Sequence, residues 1–238
     1  MSDKLVKPII TPRFVPSCTS YLMKELGDIA IKDSIPVQSH LSENLSEIDW
    51  VSKLHPECKS YGDTYNKFNL FGQTKTIMAH CVHLTEEEIN TMEENQVFIA
   101  HCPNSNMNLS SGIAPISKLL KRNIKVGLGS DIAGGENLSM FAVMACAIRM
   151  SKLRKVCFKE EEKALTLQEV FYLATKGGGK FFGKVGSFEE GYEFDALVID
   201  DDNLWKINEG SIEERIERLI YLGDGKNIIA RYARGREI

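Results

Sequence analysis

The sequence lacks a basic surplus, a long apolar run and a paired-cysteine motif, and each absence removes a class of protein. Its 29 Lys and Arg residues are outnumbered by 33 Asp and Glu residues. Nothing therefore favours the counterion release through which basic proteins bind nucleic acid. No apolar stretch reaches the roughly 20 residues that cross a membrane. We expect neither a nucleic acid nor a membrane among the partners of this protein.

The six cysteines include no C-x-x-C pair, and the first residues, Met-Ser-Asp-Lys, contain no apolar run of signal-peptide length. Unpaired cysteines in a chain without an export signal are typical of a reducing compartment. We therefore expect a cytoplasmic protein with reduced cysteines.

Two catalytic signatures are also absent. The G-x-S-x-G elbow of serine hydrolases does not occur. His55-Pro56-Glu57 matches the first half of the H-x-E…P-C-x-x-C zinc signature of cytidine deaminases, but no P-C-x-x-C follows it. Nucleophilic serine catalysis and the cytidine-deaminase fold are therefore rejected.

What the sequence does contain is a series of apolar runs that each end in a polar side chain. Helical segments follow these runs, which predicts repeated βα units with parallel strands and right-handed crossovers. Polar groups collected at the carboxyl ends of such strands are typical of a TIM-type (β/α) barrel. The strand-end residues are Arg13, His40, His80, His101 and Asp131.

Local signals place several of the helices. Three helix starts have capping-box spacing: Asn44 with Glu47, Thr85 with Glu88, and Thr166 with Glu169. The run Pro103-Asn104-Ser105-Asn106 predicts a loop. Residues 138–153 are apolar nearly all round, which predicts a buried helix, and the helix that starts near residue 166 is expected to end at the glycines of 177–179.

The number of units falls short of a closed barrel. A closed barrel has eight strands, whereas the sequence shows about five βα units before the pattern changes near Gly183. Strands are predicted at 194–199 and 228–235, with a helix at 213–221. We therefore expect an α/β fold, with an incomplete TIM-type (β/α) barrel over residues 1–182 and the C-terminal segment of a small β domain over residues 183–238.

The stretch from Val37 to Glu43 carries the clearest chemistry. It is a short apolar strand that opens into a titratable pair, His40 and Glu43. A strand that ends in this way can supply a metal ligand and a proton carrier. Taken alone, the stretch is more typical of a structural histidine beside a solvated glutamate, and it is the recurrence of the pattern along the chain that favours a functional site.

Several motifs together resemble the amidohydrolase superfamily and, within it, the guanine deaminases. The His-Cys-Pro-Asn-Ser-Asn and Gly-Leu-Gly-Ser-Asp pieces are similar to a wider set of aminohydrolases, whereas Pro12-Arg13-Phe14 is the more guanine-specific signal. The resemblance covers essentially the whole chain. The matching stretches are residues 7–14, 38–44, 78–80, 99–106, 127–131 and 221–224.

The resemblance implies a site with one Zn²⁺ and roles for individual residues. It implies that His40 and Asp131 bind zinc and contact the substrate, and that Asp131 takes a proton from the attacking water. It implies that Glu43, also in contact with substrate, is the proton shuttle. His80 would hydrogen-bond the water or the substrate. No chemistry is carried over to His101, which we expect to be structural or to support the site residues.

The resemblance also implies guanine as the small-molecule substrate and a homodimer in the full-length family. Arg13 and Phe14 would hold the purine. A guanidinium offers planar paired donors to the edge of the purine ring, and an aromatic side chain offers a face for stacking.

One departure from the family pattern matters. The family carries a His-x-His pair on the first barrel strand, and the five histidines here contain none. His40 and Asp131 leave zinc with two protein ligands, where catalytic sites typically have three. His80 is a candidate third ligand. We therefore expect a C-terminal portion that lacks the first barrel strands, with incomplete activity by itself.

Two other functions stay open. The chain resembles, more broadly, aminohydrolases that act on another purine, a pyrimidine or a triazine, and Arg13-Phe14 is the discriminating feature. The chain is also compatible with a non-catalytic remnant or subunit, which a metal assay would distinguish.

Overall fold

The computed structural model describes residues 6–159 and 161–238. Contacts between Cα atoms divide the chain into two compact units. The first comprises the chain up to His101 together with Ser110–Lys125, and the second comprises Cys102–Leu109 and Val126–Ile238. No helix among the described residues is both long enough and apolar enough to cross a membrane.

Helices and strands alternate over most of the chain. In chain order they are α1 (Ser20–Asp33), β1 (Val37–Leu41), α2 (Leu45–Leu54), α3 (Tyr61–Lys67), β2 (Thr76–His80), α4 (Glu86–Glu94), β3 (Phe98–His101), α5 (Pro103–Asn108), α6 (Ile116–Lys121), β4 (Lys125–Leu128), α7 (Met140–Phe158), α8 (Leu167–Tyr172), β5 (Ala196–Ile199), α9 (Ile212–Leu222), β6 (Ile228–Ala233) and β7 (Arg236–Glu237).

Parallel strands form the centre of the first unit. β2 lies between β1 and β3, with Leu41 opposite His80 and Ile77 opposite Phe98. In β1 and β2 buried side chains alternate with partly exposed ones, so one face of these strands is covered more completely than the other. Because the strands are parallel, their carboxyl ends, which carry His40 and His80, lie along one edge of the sheet.

The first predicted strand is reduced to a single bridge. Ile10 pairs in parallel with Val37, through hydrogen bonds of 2.9 Å from the Ile10 N–H to the Pro36 carbonyl and from the Gln38 N–H to the Ile10 carbonyl. Pro8 and Pro12 have no N–H to extend the ladder. The segment nevertheless places Arg13 next to β1.

Two of the three predicted capping boxes are confirmed. The Thr85–Glu88 and Thr166–Glu169 pairs each bond in both directions. Asn44 caps α2 by accepting from the Glu47 N–H, but the Glu47 carboxyl accepts from the Tyr61 hydroxyl instead of returning to Asn44. The predicted box at Asn44 is therefore a one-way cap.

The loop predicted at 103–106 is wrong. The segment is helical, as α5, with Pro103 in the first turn and the Asn106 N–H bonded to the Cys102 carbonyl at 3.0 Å. Proline suits the first turn of a helix because its missing N–H has no intrahelical partner there. The asparagines that suggested a loop are buried in the fold.

The second unit packs β4 directly against helical backbone. A Cβ added to Gly127 of β4 would lie 2.8 Å from the Gly178 Cα, so this approach requires glycine at residue 127. The helix predicted to end at the glycines of 177–179 runs into them, because α8 continues through a π-turn at Leu173–Gly177. In α7 the predicted burial holds for residues 143–148.

The last part of the second unit is a small antiparallel sheet. β6 pairs with β5 on one side and with β7 on the other. The loop after β5 is tied to α9, because Asp201 accepts from Arg215 at 2.6 Å and from Arg218 at 3.2 Å. The domain boundary near Gly183 stays a prediction.

Candidate active site

The backbone is unusual where β1 and β2 end. Ser42, His80 and Cys81 have φ angles of 47°, 71° and 52°, in the left-handed region that residues other than glycine rarely adopt. Asp131, in the second unit, has a φ of 45°. Such conformations cost about 1–3 kcal/mol each and concentrate at functional sites. Positive φ angles therefore occur at the ends of β1 and β2 and at Asp131, as they also do in turns elsewhere in the chain.

The His40 ring is oriented by the backbone of Arg13. Its Nδ1 lies 2.5 Å from the Arg13 carbonyl oxygen. A carbonyl only accepts hydrogen bonds, so Nδ1 is the protonated nitrogen. In the neutral ring, Nε2 then carries the lone pair. Histidine ligands of metals are commonly held in this way by a carbonyl at the other nitrogen, and His40 fits such a role.

Glu43 lies between two polar neighbours. The Ser111 hydroxyl donates to its Oε1 at 2.7 Å, and His80 Nε2 lies 3.6 Å from its Oε2. The His80 ring stacks on the His40 ring with centroids 5.1 Å apart. The structure therefore brings together the predicted ligand His40, the predicted proton shuttle Glu43, and His80, which was predicted to hydrogen-bond the water or the substrate.

His101 is buried at the end of β3. Burial, with a smaller contribution from nearby His80, lowers its pKa to about 3, so the ring is neutral at pH 7. Among the described residues, its Nδ1 has no hydrogen-bond partner. The expectation that His101 is structural or supporting stays a prediction.

The predicted purine-holding residues form an aromatic group with one residue that the sequence did not indicate. The Phe14 ring meets Trp50 edge to face, with centroids 6.4 Å apart, and the Arg13 guanidinium lies 5.5 Å from the Phe14 centroid. Trp50 lies on α2, where its spacing indicated only a helical residue.

A buried chain of hydroxyls supports the backbone on both sides of His40. Tyr65 is fully buried, and its hydroxyl donates to the His40 carbonyl at 2.9 Å and lies 2.6 Å from the Ser39 hydroxyl. Ser39 donates to the Pro12 carbonyl at 2.6 Å. These contacts tie β1 to the segment that carries Arg13. They join residues 25 to 27 positions apart, so no local pattern could have indicated them.

Glu47 is an acid near the site that the sequence treated only as a helix cap. Its carboxyl accepts from the Tyr61 hydroxyl at 2.5 Å. Burial raises its pKa, and the Tyr61 hydrogen bond partly opposes that rise. Glu47 therefore serves to complete the hydrogen bonding of a buried tyrosine.

Asp131 lies in the second unit, in a tight turn after β4. Its carbonyl accepts from the N–H groups of Gly134 and Gly135 at 3.0 and 2.6 Å. A Cβ added to Gly134 would lie 2.8 Å from the Asp131 Oδ2 and 2.7 Å from the Ser105 Oγ. The turn therefore needs glycine at residue 134 to leave room for the carboxylate.

No group of three or more His, Cys, Asp or Glu side chains is arranged to hold a metal ion within residues 6–159 and 161–238. His40 and Asp131, the two predicted ligands, lie one in each unit. The donor types, an imidazole with a lone pair on Nε2 and a carboxylate, are both ordinary zinc ligands.

Comparison with known proteins identifies the family. The model of the amidohydrolase family matches residues 1–238. The chain is 46% identical to guanine deaminase of Mus musculus, over 98% of this chain and 53% of that protein. It is 34% identical to guanine deaminase of Escherichia coli K12, over 95% of this chain and 52% of that protein. The chain thus spans about half the length of these curated relatives.

Solved structures agree with the fold. A guanine deaminase of C. acetobutylicum, solved with guanine in its active site, has 54% identity and a TM-score of 0.97, over 100% of this chain and 56% of that one. A zinc-bound adenosine deaminase of Xanthomonas campestris, with 22% identity, shares the fold at a TM-score of 0.86, over 99% of this chain and 52% of that one. The predicted incomplete TIM-type barrel is confirmed, and the chain belongs to the amidohydrolase family.

Proposed function

We propose that this chain supplies part of the active site of a guanine deaminase, which hydrolyses guanine to xanthine and ammonia. The observation that carries the proposal is the grouping at the ends of β1 and β2. There His40 is oriented by the Arg13 carbonyl and stacks on His80, and the Glu43 carboxylate lies beside His80. The guanine deaminases that match nearly all of this chain support guanine as the substrate.

His40, through Nε2, and Asp131 would hold the zinc ion. When bound, zinc lowers the pKa of water from about 15.7 to about 7, which makes hydroxide available at neutral pH. Because the 238 residues contain no His-x-His pair, we propose that a different polypeptide segment provides the remaining ligands. The zinc named in a solved structure of the same fold supports the choice of metal.

Glu43 would carry protons between the water and the substrate. In the reaction, one C–O bond forms at the amine-bearing carbon and one C–N bond breaks. A water proton moves to the ring nitrogen, and a second proton moves to the departing amine, which leaves as ammonia. A single carboxyl group can make both transfers in turn. Asp131 would take up the second water proton before that proton is delivered to the departing amine, and His80 would hold the water or substrate by a hydrogen bond.

Arg13 and Phe14 would hold the purine. The guanidinium is suited to pair with the carbonyl and nitrogen edge of guanine, and the phenyl ring is suited to stack on it. The edge-to-face contact with Trp50 supports a fixed position for the Phe14 ring. The protein's place would be the cytoplasm, in line with the unpaired cysteines.

A substrate panel on a zinc-loaded assembly that contains this chain tests the proposal. The panel should include guanine, adenine, cytosine, a chlorotriazine and 5′-deoxyadenosine, since a 5′-deoxyadenosine deaminase of Methanocaldococcus jannaschii is 33% identical over 94% of this chain. We expect guanine to have the highest kcat/KM. A higher value for another ring would assign the protein to a related aminohydrolase, and no turnover of any ring would favour a non-catalytic role.

A further inference from the structure

The loop that carries Ser111 closes on Glu43. The Ser111 hydroxyl donates to Glu43 Oε1 at 2.7 Å, and the Ser111 carbonyl accepts from His83 Nε2 at 2.7 Å. The backbone N–H of His83 in turn donates to the Ser42 carbonyl at 3.0 Å. The contacts therefore form a continuous series from the Ser42 carbonyl through His83 and Ser111 to the Glu43 carboxylate. Since Ser42 precedes Glu43 in the chain, the series is closed.

The two oxygens of Glu43 consequently have different surroundings. Oε1 receives the Ser111 hydroxyl, while Oε2 lies 3.6 Å from His80 Nε2. A hydrogen bond to an ionised oxygen is stronger than one between neutral groups, and rotation of the carboxylate would break it. Ser111 is itself buried, with 4% of its surface exposed, so water competes little for this bond.

The backbone of the loop is shaped for this approach. Gly112 has a φ of 125°, and a Cβ there would lie 3.0 Å from Val82 and 3.3 Å from the His83 ring. Any other residue at this position would push the loop away from His83. The glycine therefore allows the His83 ring to hold the carbonyl of the neighbouring Ser111.

We propose that Ser111 is a positioning residue for Glu43, anchored by His83. It holds Oε1, so that Oε2 is the oxygen presented on the His80 side to carry the proton. The proposal rests on the deaminase function proposed above, in which Glu43 transfers protons. It assigns roles to Ser111 and His83, which no motif or spacing in the sequence had indicated.

Kinetics of Ser111 variants test the proposal in an active, zinc-loaded assembly. Misplacing a catalytic group lowers turnover more than binding, so Ser111→Ala should reduce kcat about 10- to 100-fold and change KM by less than about twofold. Ser111→Thr keeps the hydroxyl and should recover most of the loss. Ser110→Ala removes an exposed hydroxyl from the same loop and should behave as wild type.

A second variant tests the proposal independently, in case Ser111→Ala does not fold correctly. His83→Gln leaves Ser111 in place but loosens its anchor, and it should lower kcat in the same direction. An unchanged kcat in Ser111→Ala, or an equal loss in the Ala and Thr variants, would overturn the proposal. A change in KM with no change in kcat would also overturn it, because displacing a proton carrier slows the chemical step.

A crystal structure of the chain with Ser111→Ala gives a readout that does not need activity. We expect the Glu43 carboxylate to take more than one orientation in the variant and one orientation in the wild type. A single, unchanged orientation would contradict the positioning role. If the wild-type assembly fails to deaminate guanine, the proposed function fails, while the crystallographic comparison still decides whether Ser111 positions Glu43.

Discussion

The chemistry open to His40 and to Glu43 depends on which atom of each side chain is not already engaged in a hydrogen bond. His40 donates from Nδ1 to a backbone carbonyl, and this leaves Nε2 as the nitrogen for a ligand. Glu43 has one oxygen engaged by a hydroxyl and the other beside a histidine. In both cases a neighbour that performs no chemistry determines which atom of the reacting side chain is available.

Glu43→Gln tests the proton carrier directly. The amide keeps the size and can still accept from Ser111, but it cannot carry a proton, so we expect turnover of guanine to fall by at least about 10²-fold. Steady-state kinetics on a zinc-loaded, active assembly measure this. Glu25→Gln, at an exposed position of α1, should leave turnover unchanged. Near-normal turnover in Glu43→Gln would rule out the role.

Tyr65→Phe tests the hydroxyl chain behind His40. The change removes the hydrogen bonds to Ser39 and to the His40 carbonyl, and the free energy of unfolding should fall by about 1–3 kcal/mol. Zinc affinity of an active assembly should also fall, by about 10-fold. Tyr21→Phe, at a tyrosine that is 73% exposed, is the control. If denaturant unfolding and zinc titration do not separate the two variants, the hydroxyl chain has no positioning role.

Elements were predictable where a local pattern determines them. The strands that end at His40, His80 and His101 follow from short apolar runs, and the α4 and α8 starts follow from reciprocal caps. α5 was missed because its residues are mostly polar and show no apolar periodicity, although the fold buries most of them. Ser111 reaches Glu43 across 68 residues, and no periodicity or motif encodes a contact of that kind.

At the scale of elements, Asp201 joins the loop after β5 to α9, and this contact should depend on pH. The hydrogen bond from Arg215, followed by that from Arg218, lowers the pKa of Asp201. A depressed carboxyl pKa stabilises the fold above the unfolded value of about 3.9, and the contribution is lost as the pH falls through the folded value. The effect should therefore be complete at pH 7 and disappear in strong acid.

Asp201→Asn should accordingly lower the free energy of unfolding at pH 7 by about 1.5–3 kcal/mol, the range for hydrogen bonds to charged groups. The difference from wild type should shrink as the pH is lowered from about 4. Asp202→Asn, at a side chain that is 89% exposed, is the matched control. Urea unfolding at several pH values measures both, and a difference that is independent of pH would contradict the assignment.

At the scale of the whole molecule, the match to known proteins covers nearly all of this chain but only about half of each relative. The match covers 98% of this chain but 53% of the mouse relative. On the proposed function the chain would provide a proton carrier, purine-holding side chains and two zinc ligands, but the His-x-His pair that the family resemblance implies is absent from its sequence. We therefore expect the residues of this chain to be necessary for the reaction without being sufficient.

Metal analysis of the isolated chain tests that expectation. Two protein ligands bind zinc weakly compared with the three of ordinary catalytic sites, so the 238-residue chain should retain much less than one zinc after dialysis and should form little xanthine from guanine. The guanine deaminase of C. acetobutylicum, prepared in the same way, is the positive control for activity, and the zinc-bound adenosine deaminase of Xanthomonas campestris is the positive control for metal content. One tightly bound zinc per chain with full activity would show that the ligands present here are enough. A low zinc content that rises when a polypeptide containing a His-x-His pair is added would support a site completed by a second segment.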